Sequence, residues 1–97
     1  MSESFIVQSA PVITKEHISR IMDSSTHASI KMGEKTTVVC VRLPSGFEMI
    51  ESSACINPAN YNHDLGTELA LKKVEDRLWE LEGYRLQCEV ANEVGGQ

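Results

Sequence analysis

The sequence lacks any long apolar segment. No run approaches the roughly 20 residues that a transmembrane helix needs. The stretch "SFIVQ" near the start is short, and it has no basic flank of the kind that precedes the apolar part of a signal peptide. We therefore expect a protein that stays in the cytosol of the cell that makes it, with no membrane association.

Paired cysteine motifs are also missing. Cys40, Cys55 and Cys88 are odd in number and widely spaced, with no CxxC pair, and the three histidines are equally scattered. A disulfide framework needs an even set of cysteines, and a structural zinc site needs closely spaced ligands. The pattern predicts reduced thiols and neither a metal nor a cofactor.

Basic residues are in deficit. The chain has 9 Lys and Arg against 14 Asp and Glu, which gives a net charge of -5 and a pI near 5.1. Proteins that coat nucleic acid draw their affinity from clustered cations, so this class is disfavoured. A small anion remains a suitable ligand, because a few well-placed cations act locally against the overall field.

The length predicts one domain. The whole chain, 1–97, is assigned to it, with a well-ordered core over 14–88 and frayed ends. A chain this short buries a modest fraction of its surface, so we expect it to complete its core by self-association into dimers or hexamers.

A short amphipathic helix is predicted near the start, over about 15–23. Thr14 can cap it, and Ile13 and Ile18 occupy the two positions of a hydrophobic staple.

The middle of the chain predicts an antiparallel β-meander. "THASIKM" alternates apolar and polar residues, and "KTTVVCVRL" is rich in β-branched residues. Pro44 and Gly46 then supply the chemistry of a short hairpin loop, and 47–55 returns as the partner strand.

A long C-terminal helix is predicted from apolar residues that recur at spacings of three and four: Leu65, Leu69, Ala70, Val74, Leu78, Leu81 and Leu86. It would be about 30 Å or more in length, which is long for this domain. Part of its apolar face, Trp79 included, is therefore expected to meet another protomer. Gly83 either ends this helix or only weakens it. The predicted class is α+β: short N-terminal helix, antiparallel meander, long C-terminal helix.

Residues 46–66, "GFEMIESSACINPANYNHDLG", join the hairpin to that helix with three asparagines. Asn57 before Pro58 is a good cap and first-turn pair, and Asn62 can cap the long helix. Capping does not account for all three asparagines together. The alternative interpretation is that the junction holds a ligand.

This stretch, followed by "LWELEGYRLQ", resembles the small tailed-bacteriophage proteins that include the first type of Thoeris anti-defence protein. The resemblance runs from about Thr14 to about Leu86. Its most specific parts are Gly46-Phe47, the Glu51-Ser-Ser-x-Cys55 strand end, Asn57-Pro58, Asn60-Tyr61, Gly66 and the run from Leu78 to Tyr84.

The resemblance implies a sponge and not an enzyme, acting in the host cell cytoplasm. Members of the anti-defence branch bind cyclic ADP-ribose signals made by TIR-domain proteins and hold them intact. Some are hexamers that also take up cyclic trinucleotides of the CBASS pathway at a separate site. Phe47 and Asn57 match positions expected at the cyclic ADP-ribose pocket, although other members of the wider family carry an acidic residue where Asn57 stands.

The residue chemistry suits such a ligand. Phe47 can stack on a purine, and Asn57 or Asn60 offers a carboxamide that donates and accepts at a base edge. An arginine can hold the pyrophosphate bidentately. Three arginines are candidates for that role: Arg42, Arg77 and Arg85. Each of them has an ordinary ion pair on a solvated face as its alternative.

Catalysis has little support in the sequence. Cys55 near His63 is the one pair worth testing as a nucleophile with its base, and a core cysteine is the commoner role. The competing hypothesis is a small phage protein that binds a host or phage protein through the leucine and Trp79 stripe of its long helix, with no nucleotide ligand.

Overall fold

The computed structural model describes residues 11–95 as two helices packed on one face of a three-stranded sheet. In chain order the elements are α1 (Lys15–Asp23), β1 (Thr26–Met32), β2 (Thr36–Arg42), β3 (Glu48–Ala54), a 3₁₀ turn (Pro58–Asn60) and α2 (His63–Gly95). The predicted α+β class and element order are confirmed. Of the frayed ends predicted on either side of 14–88, residues 1–10 and 96–97 lie outside the described residues, whereas 89–95 belong to α2.

Helix α1 begins and ends where the sequence predicts. The Thr14 hydroxyl accepts a hydrogen bond from the His17 amide at 3.1 Å, which satisfies one of the free N–H groups of the first turn. Ile18 is fully buried, so the apolar stripe of α1 points into the core.

The sheet is an antiparallel meander in the order β1-β2-β3. Both turns place a glycine at positive φ, Gly33 at 82° and Gly46 at 95°, a conformation open to residues without a Cβ. Val39 stands at the centre, opposite Ser29 on one side and Glu51 on the other.

Strand alternation divides the sheet into two faces. The inner face consists of His27, Ser29, Lys31, Thr37, Val39, Val41, Met49, Glu51 and Ser53. The outer face consists of Thr26, Ala28, Ile30, Met32, Thr36, Val38, Cys40, Arg42, Glu48, Ile50, Ser52 and Ala54.

The core lies between the inner face and the two helices. The buried apolar residues are Ile18, Val39, Val41, Leu43, Met49, Ala70, Val74 and Leu78. Ala70, Val74 and Leu78 are spaced by four along α2, so they form the stripe of the helix that faces the sheet.

Helix α2 has 33 residues and spans about 50 Å. It passes through Gly83 without ending there, so this glycine does not terminate the helix. Of the predicted apolar stripe, Leu65 and Leu69 are half exposed instead of buried, because they lie to the side of the face that meets the sheet. None of the described helices is both long and apolar enough to cross a membrane.

Candidate functional site

The chain between β3 and α2 forms a capped 3₁₀ turn. The Asn57 carboxamide oxygen accepts from the Ala59 amide at 2.9 Å, and Pro58 takes the first position, where no backbone donor is needed. The cap and first-turn interpretation of this pair is confirmed.

The other two asparagines differ in their roles. Asn62 caps α2, since its side-chain oxygen accepts from the Leu65 amide at 3.1 Å. The Asn60 carboxamide makes no side-chain hydrogen bond within residues 11–95. Capping therefore explains Asn57 and Asn62. It does not explain Asn60, whose carboxamide can still bond to a ligand.

Tyr61 anchors the junction to the sheet through a chain of hydrogen bonds. Its hydroxyl lies 2.8 Å from the Thr37 hydroxyl and 2.9 Å from Nδ1 of His63. Nε2 of the same histidine lies 3.0 Å from the Ser29 hydroxyl. The Lys31 ammonium lies 4.7 Å from the centre of the Tyr61 ring, within range of a cation–π contact.

Gly66 brings the first turn of α2 against the sheet. A Cβ at this position would lie 2.2 Å from the Thr37 hydroxyl oxygen, so only glycine fits without a shift of β2 or of the helix. The Ser53 hydroxyl donates to the Gly66 carbonyl at 2.7 Å. The close approach forms the floor of a cleft next to the junction.

We call this cleft the junction pocket. Its volume is about 140 Å³, and it is lined by Lys35, Thr37, Ser53, Ala54, Cys55, Asn60, Tyr61, Asn62, Leu65, Gly66 and Leu69. Leu65 and Leu69 form an apolar wall, and the Lys35 ammonium, which donates to the Ile56 carbonyl at 3.3 Å, supplies positive charge beside it. An apolar surface with a cation and an amide at its edge suits a planar polar ring that carries negative charge nearby.

Phe47 lies at the other end of the sheet. Its ring is 53% exposed, and it borders a shallow pocket of about 250 Å³ with Leu78 and Leu81. Strand β3 separates Phe47 from Asn57, and its seven residues alone span about 20 Å. The structure therefore does not bring these two predicted site residues together within one protomer.

The three candidate arginines are dispersed. Arg77 is half exposed and pairs with Glu51 at 2.8 Å on the inner side of the sheet. Arg42 is exposed on the outer face, opposite Glu48 and close to the hairpin glycine. Arg85 is farther along α2, 3.1 Å from Glu82 and in contact with Glu89. Their assignment to a pyrophosphate stays a prediction.

An ion-pair cluster that the sequence analysis missed holds α1 against α2. His17 Nε2 lies 2.7 Å from the Glu82 carboxylate, which Arg85 also contacts. Desolvation opposes ionisation of Glu82, but the hydrogen bonds and charges of His17 and Arg85 outweigh it, so the pKa of this carboxyl lies below its ordinary value. The partners are 65 residues apart, and no sequence spacing signals the contact.

The proposed nucleophile pair is not assembled. The Cys55 thiol donates to the Asn57 carbonyl, and both ring nitrogens of His63 are engaged by Tyr61 and Ser29. Within residues 11–95 no group of three His, Cys, Asp or Glu side chains is arranged to hold a metal ion.

Comparison with known proteins places the chain in a family. Residues 10–90 match the family model described as "Phage protein (N4 Gp49/phage Sf6 gene 66) family", which covers most of the chain. No curated protein and no solved structure matches the chain.

Proposed function

Since the chain belongs to the N4 Gp49/phage Sf6 gene 66 family of phage proteins, we propose that it is an anti-defence sponge for cyclic ADP-ribose-type immune signals. In this function the protein binds the signal in the host cell cytoplasm and holds it without cleaving it. The observation that carries the proposal is the Asn60 carboxamide, which has no partner in the described chain and lines a pocket beside Lys35.

The junction pocket matches one part of such a ligand. A carboxamide both donates and accepts, which suits the edge of an adenine, and Leu65 and Leu69 offer an apolar surface to the ring. Lys35, which lines the same pocket, offers an ammonium to the pyrophosphate that the ribose carries.

The size of the junction pocket limits what it can hold. Pockets that enclose a whole drug-sized ligand measure about 300–1,000 Å³, and this one measures about 140 Å³. One ring of the signal fits inside, and the rest extends out of the protomer. The site is therefore completed by additional protein surface.

A second protomer supplies that surface. Phe47 and the junction are at opposite ends of β3, so one ligand contacts both only if two copies meet there. Strand β3 is an edge strand, and antiparallel pairing of two β3 edges centred on Glu51 would set Phe47 opposite the partner's Cys55, two positions from Asn57. The Ser52 carbonyl at this edge is held by Lys73 at 2.7 Å, so that side chain moves aside on pairing.

The arginines fit this arrangement unequally. Arg42 lies at the same hairpin end of the sheet as Phe47, so pairing of the β3 edges would bring both residues near the partner's junction. Arg77 is bound through one nitrogen to Glu51, which leaves other N–H groups of its guanidinium for a pyrophosphate. Arg85 already contacts two carboxylates and is the weakest of the three candidates.

Sequestration without cleavage agrees with the local hydrogen bonds. Hydrolysis needs a general base with a free nitrogen or oxygen near the bond to be broken. His63 uses both ring nitrogens to tie Tyr61 to Ser29, which is a structural role.

The test is calorimetric titration with a glycosidically cyclised ADP-ribose, with linear ADP-ribose as the control ligand. We expect the cyclic form to bind and to be recovered unchanged after denaturation of the protein. Asn60→Ala should weaken binding about tenfold, the effect of one lost hydrogen bond. Phe47→Ala should weaken it by on the order of 1–3 kcal/mol, the value of one base–aromatic stack.

Matched variants separate binding from folding. Asn92→Ala repeats the asparagine truncation and Tyr84→Ala removes another exposed aromatic ring, both far along α2, and both variants should bind like the wild type. No heat with the cyclic ADP-ribose or with a cyclic trinucleotide would refute the sponge.

A mixing experiment tests the shared site. Phe47→Ala and Asn60→Ala protomers each bind weakly, but a mixed pair contains one site with both native residues. Random mixing should restore tight binding at about a quarter of the sites. If the mixture recovers no tight binding, the two residues do not belong to one site shared by two protomers.

A protein partner is the second candidate, favoured by the uncovered side of α2. Leu65, Leu69 and Trp79 recur at helical spacing on that side, and each is partly exposed. Trp79→Glu is the discriminating variant. If it abolishes anti-defence activity in infected cells while nucleotide binding is unchanged, the helix and not the junction pocket carries the function.

A further inference from the structure

The shallow pocket beside Phe47 is apolar except at one wall, and we call it the hairpin pocket. It is lined by Leu43, Ser45, Phe47, Leu78, Leu81 and Glu82. Leu43 and Leu78 are buried, whereas the Phe47 ring is 53% exposed, so the pocket combines buried apolar surface with an accessible aromatic ring. Of the described residues that line it, Glu82 alone carries a charge.

The Glu82 carboxylate has one oxygen engaged and one free. Oε1 lies 2.7 Å from His17 Nε2 and accepts from Arg85 Nε at 3.1 Å. Within residues 11–95, Oε2 has no hydrogen-bond partner, and the side chain is 16% exposed. Desolvation opposes ionisation, but the contacts with His17 and Arg85 lower the pKa of this carboxyl, so at neutral pH its oxygens accept hydrogen bonds and donate none.

We propose that the purine stacked on Phe47 directs an exocyclic amine to Oε2 of Glu82, which makes Glu82 the residue that selects adenine. This assignment rests on the proposed sponge function and adds a specificity residue to it. The Phe47 ring provides the stacking surface, and a carboxylate oxygen pairs only with a donor. A purine with a carbonyl in place of the amine would set two acceptors against each other, which excludes it.

The charge balance around Glu82 favours a neutral amine over a free cation. Arg85 already compensates the carboxylate, so an ammonium ion gains less there than beside an unpaired charge. The leucines and the Phe47 ring suit a flat, weakly polar body. Together the lining residues fit a planar base with a hydrogen-bond donor at its edge.

Glu82 does not compete with Asn60 for the same hydrogen atom. The amine of adenine has two hydrogens, which point to opposite sides of the base. In the site shared by two protomers, the partner's Asn60 accepts one of them while it donates to a ring nitrogen, and Glu82 accepts the other.

The first test compares two ligands on the wild-type protein. One is the glycosidically cyclised ADP-ribose, and the other is its hypoxanthine counterpart, in which a carbonyl replaces the amine. We expect the adenine ligand to bind about 10- to 100-fold more tightly in calorimetric titrations, the effect of one hydrogen bond to a charged group.

Glu82→Gln assigns that preference to the carboxylate. A carboxamide can donate to the carbonyl of hypoxanthine or accept from the amine of adenine, so the ratio of the two affinities should fall by about tenfold. Glu82→Asp keeps the charge but withdraws it from the pocket, and it should also lower the ratio. This second variant serves if Glu82→Gln does not fold.

His17→Ala is the matched control. It removes the contact of α1 with Oε1 and leaves Oε2 in place, so it should keep the wild-type ratio of affinities. If His17→Ala lowers the ratio as much as Glu82→Gln does, Glu82 acts by holding α1 against α2 and not by contact with the base, and the assignment is wrong.

Two further results would overturn the selection of adenine by Glu82: equal affinity of the wild type for the two ligands, or a Glu82→Gln variant that keeps the full preference. Both leave the sponge function intact, because cyclic ADP-ribose still binds. Absence of binding to cyclic ADP-ribose would refute the sponge and the role of Glu82 together.

Discussion

Both faces of the sheet carry apolar residues, but only the inner face is covered within the protomer. Val39 on the inner face is completely buried beneath the helices, whereas its neighbour Val38 on the outer face is only partly buried. The inner face places its polar residues, such as Thr37 and Ser53, where they bond to the junction and to α2. On the outer face the charged residues are confined to one end.

This difference shows that alternation along a strand does not by itself distinguish a core face from a solvent face. In an ordinary two-layer protein the uncovered face of an antiparallel sheet is polar. Here the uncovered face keeps apolar residues on all three strands. The two described helices of the protomer therefore leave one apolar sheet face uncovered.

The largest expected effect comes from lifting α2 away from the inner face. Gly66→Ala would place a methyl group 2.2 Å from the Thr37 hydroxyl oxygen. We expect a loss of about 3 kcal/mol in the free energy of unfolding, the upper part of the range for overpacked sites, measured by urea denaturation. The displaced helix should also disrupt the junction pocket.

Gly83→Ala is the control for that variant. No atom lies within 4 Å of its added Cβ, and the residue is in the interior of the same helix. Alanine there should raise stability by up to about 1 kcal/mol, because glycine is a poor helix former. Equal effects of the two substitutions would contradict the close contact between α2 and the sheet.

The sequence predicted the elements well, and it did not predict which surfaces meet. Thr14, Asn57 and Asn62 cap where their side chains and neighbours indicate, since capping is decided within a few residues. The bonds that tie His63 to Ser29 and His17 to Glu82 join residues 34 and 65 positions apart. Such contacts depend on how α1 packs on α2 and how α2 packs on the sheet. No local sequence pattern indicates them.

The candidate site was predicted in part for the same reason. Asn60 was one of the predicted ligand-binding residues, and it lines the junction pocket. Lys35, Thr37 and Leu69 were not connected with it, because the pocket forms only when the β1–β2 turn meets the start of α2. The separation of Phe47 from the junction follows from the length of β3, but only after the bounds of that strand are known.

A pair of valine truncations measures the two faces directly. Val39→Ala should cost about 2 kcal/mol at every protein concentration, since it removes two buried methyl groups and leaves a cavity. Val38→Ala should cost less than about 0.5 kcal/mol in dilute protein.

Thermal unfolding of the Val39→Ala and Val38→Ala variants measures both free-energy costs. For a domain of this size 1 kcal/mol corresponds to a shift of about 4–8 °C in the midpoint. A cost for Val38→Ala as large as that for Val39→Ala would mean that the two faces are equally buried in solution. A small cost for Val39→Ala would contradict the buried inner layer.

The smallest expected effect concerns the ion pair between His17 of α1 and Glu82 of α2, the two helices that cover the inner face. Because the pKa of Glu82 is lowered in the folded protein, its ionised form adds stability that is fully present above the ordinary glutamate pKa of 4.5 and is lost as the pH falls through the folded value. Glu82→Gln should therefore cost about 1 kcal/mol at pH 7 and progressively less below pH 4.5. Glu80→Gln, at an exposed position of the same helix, should cost almost nothing at either pH. Urea denaturation at pH 7 and pH 3.5 measures both variants. If Glu82→Gln lowers stability equally at the two pH values, the Glu82 side chain contributes packing and not charge. In that case the contact of His17 with the Glu82 carboxylate does not hold α1 against α2.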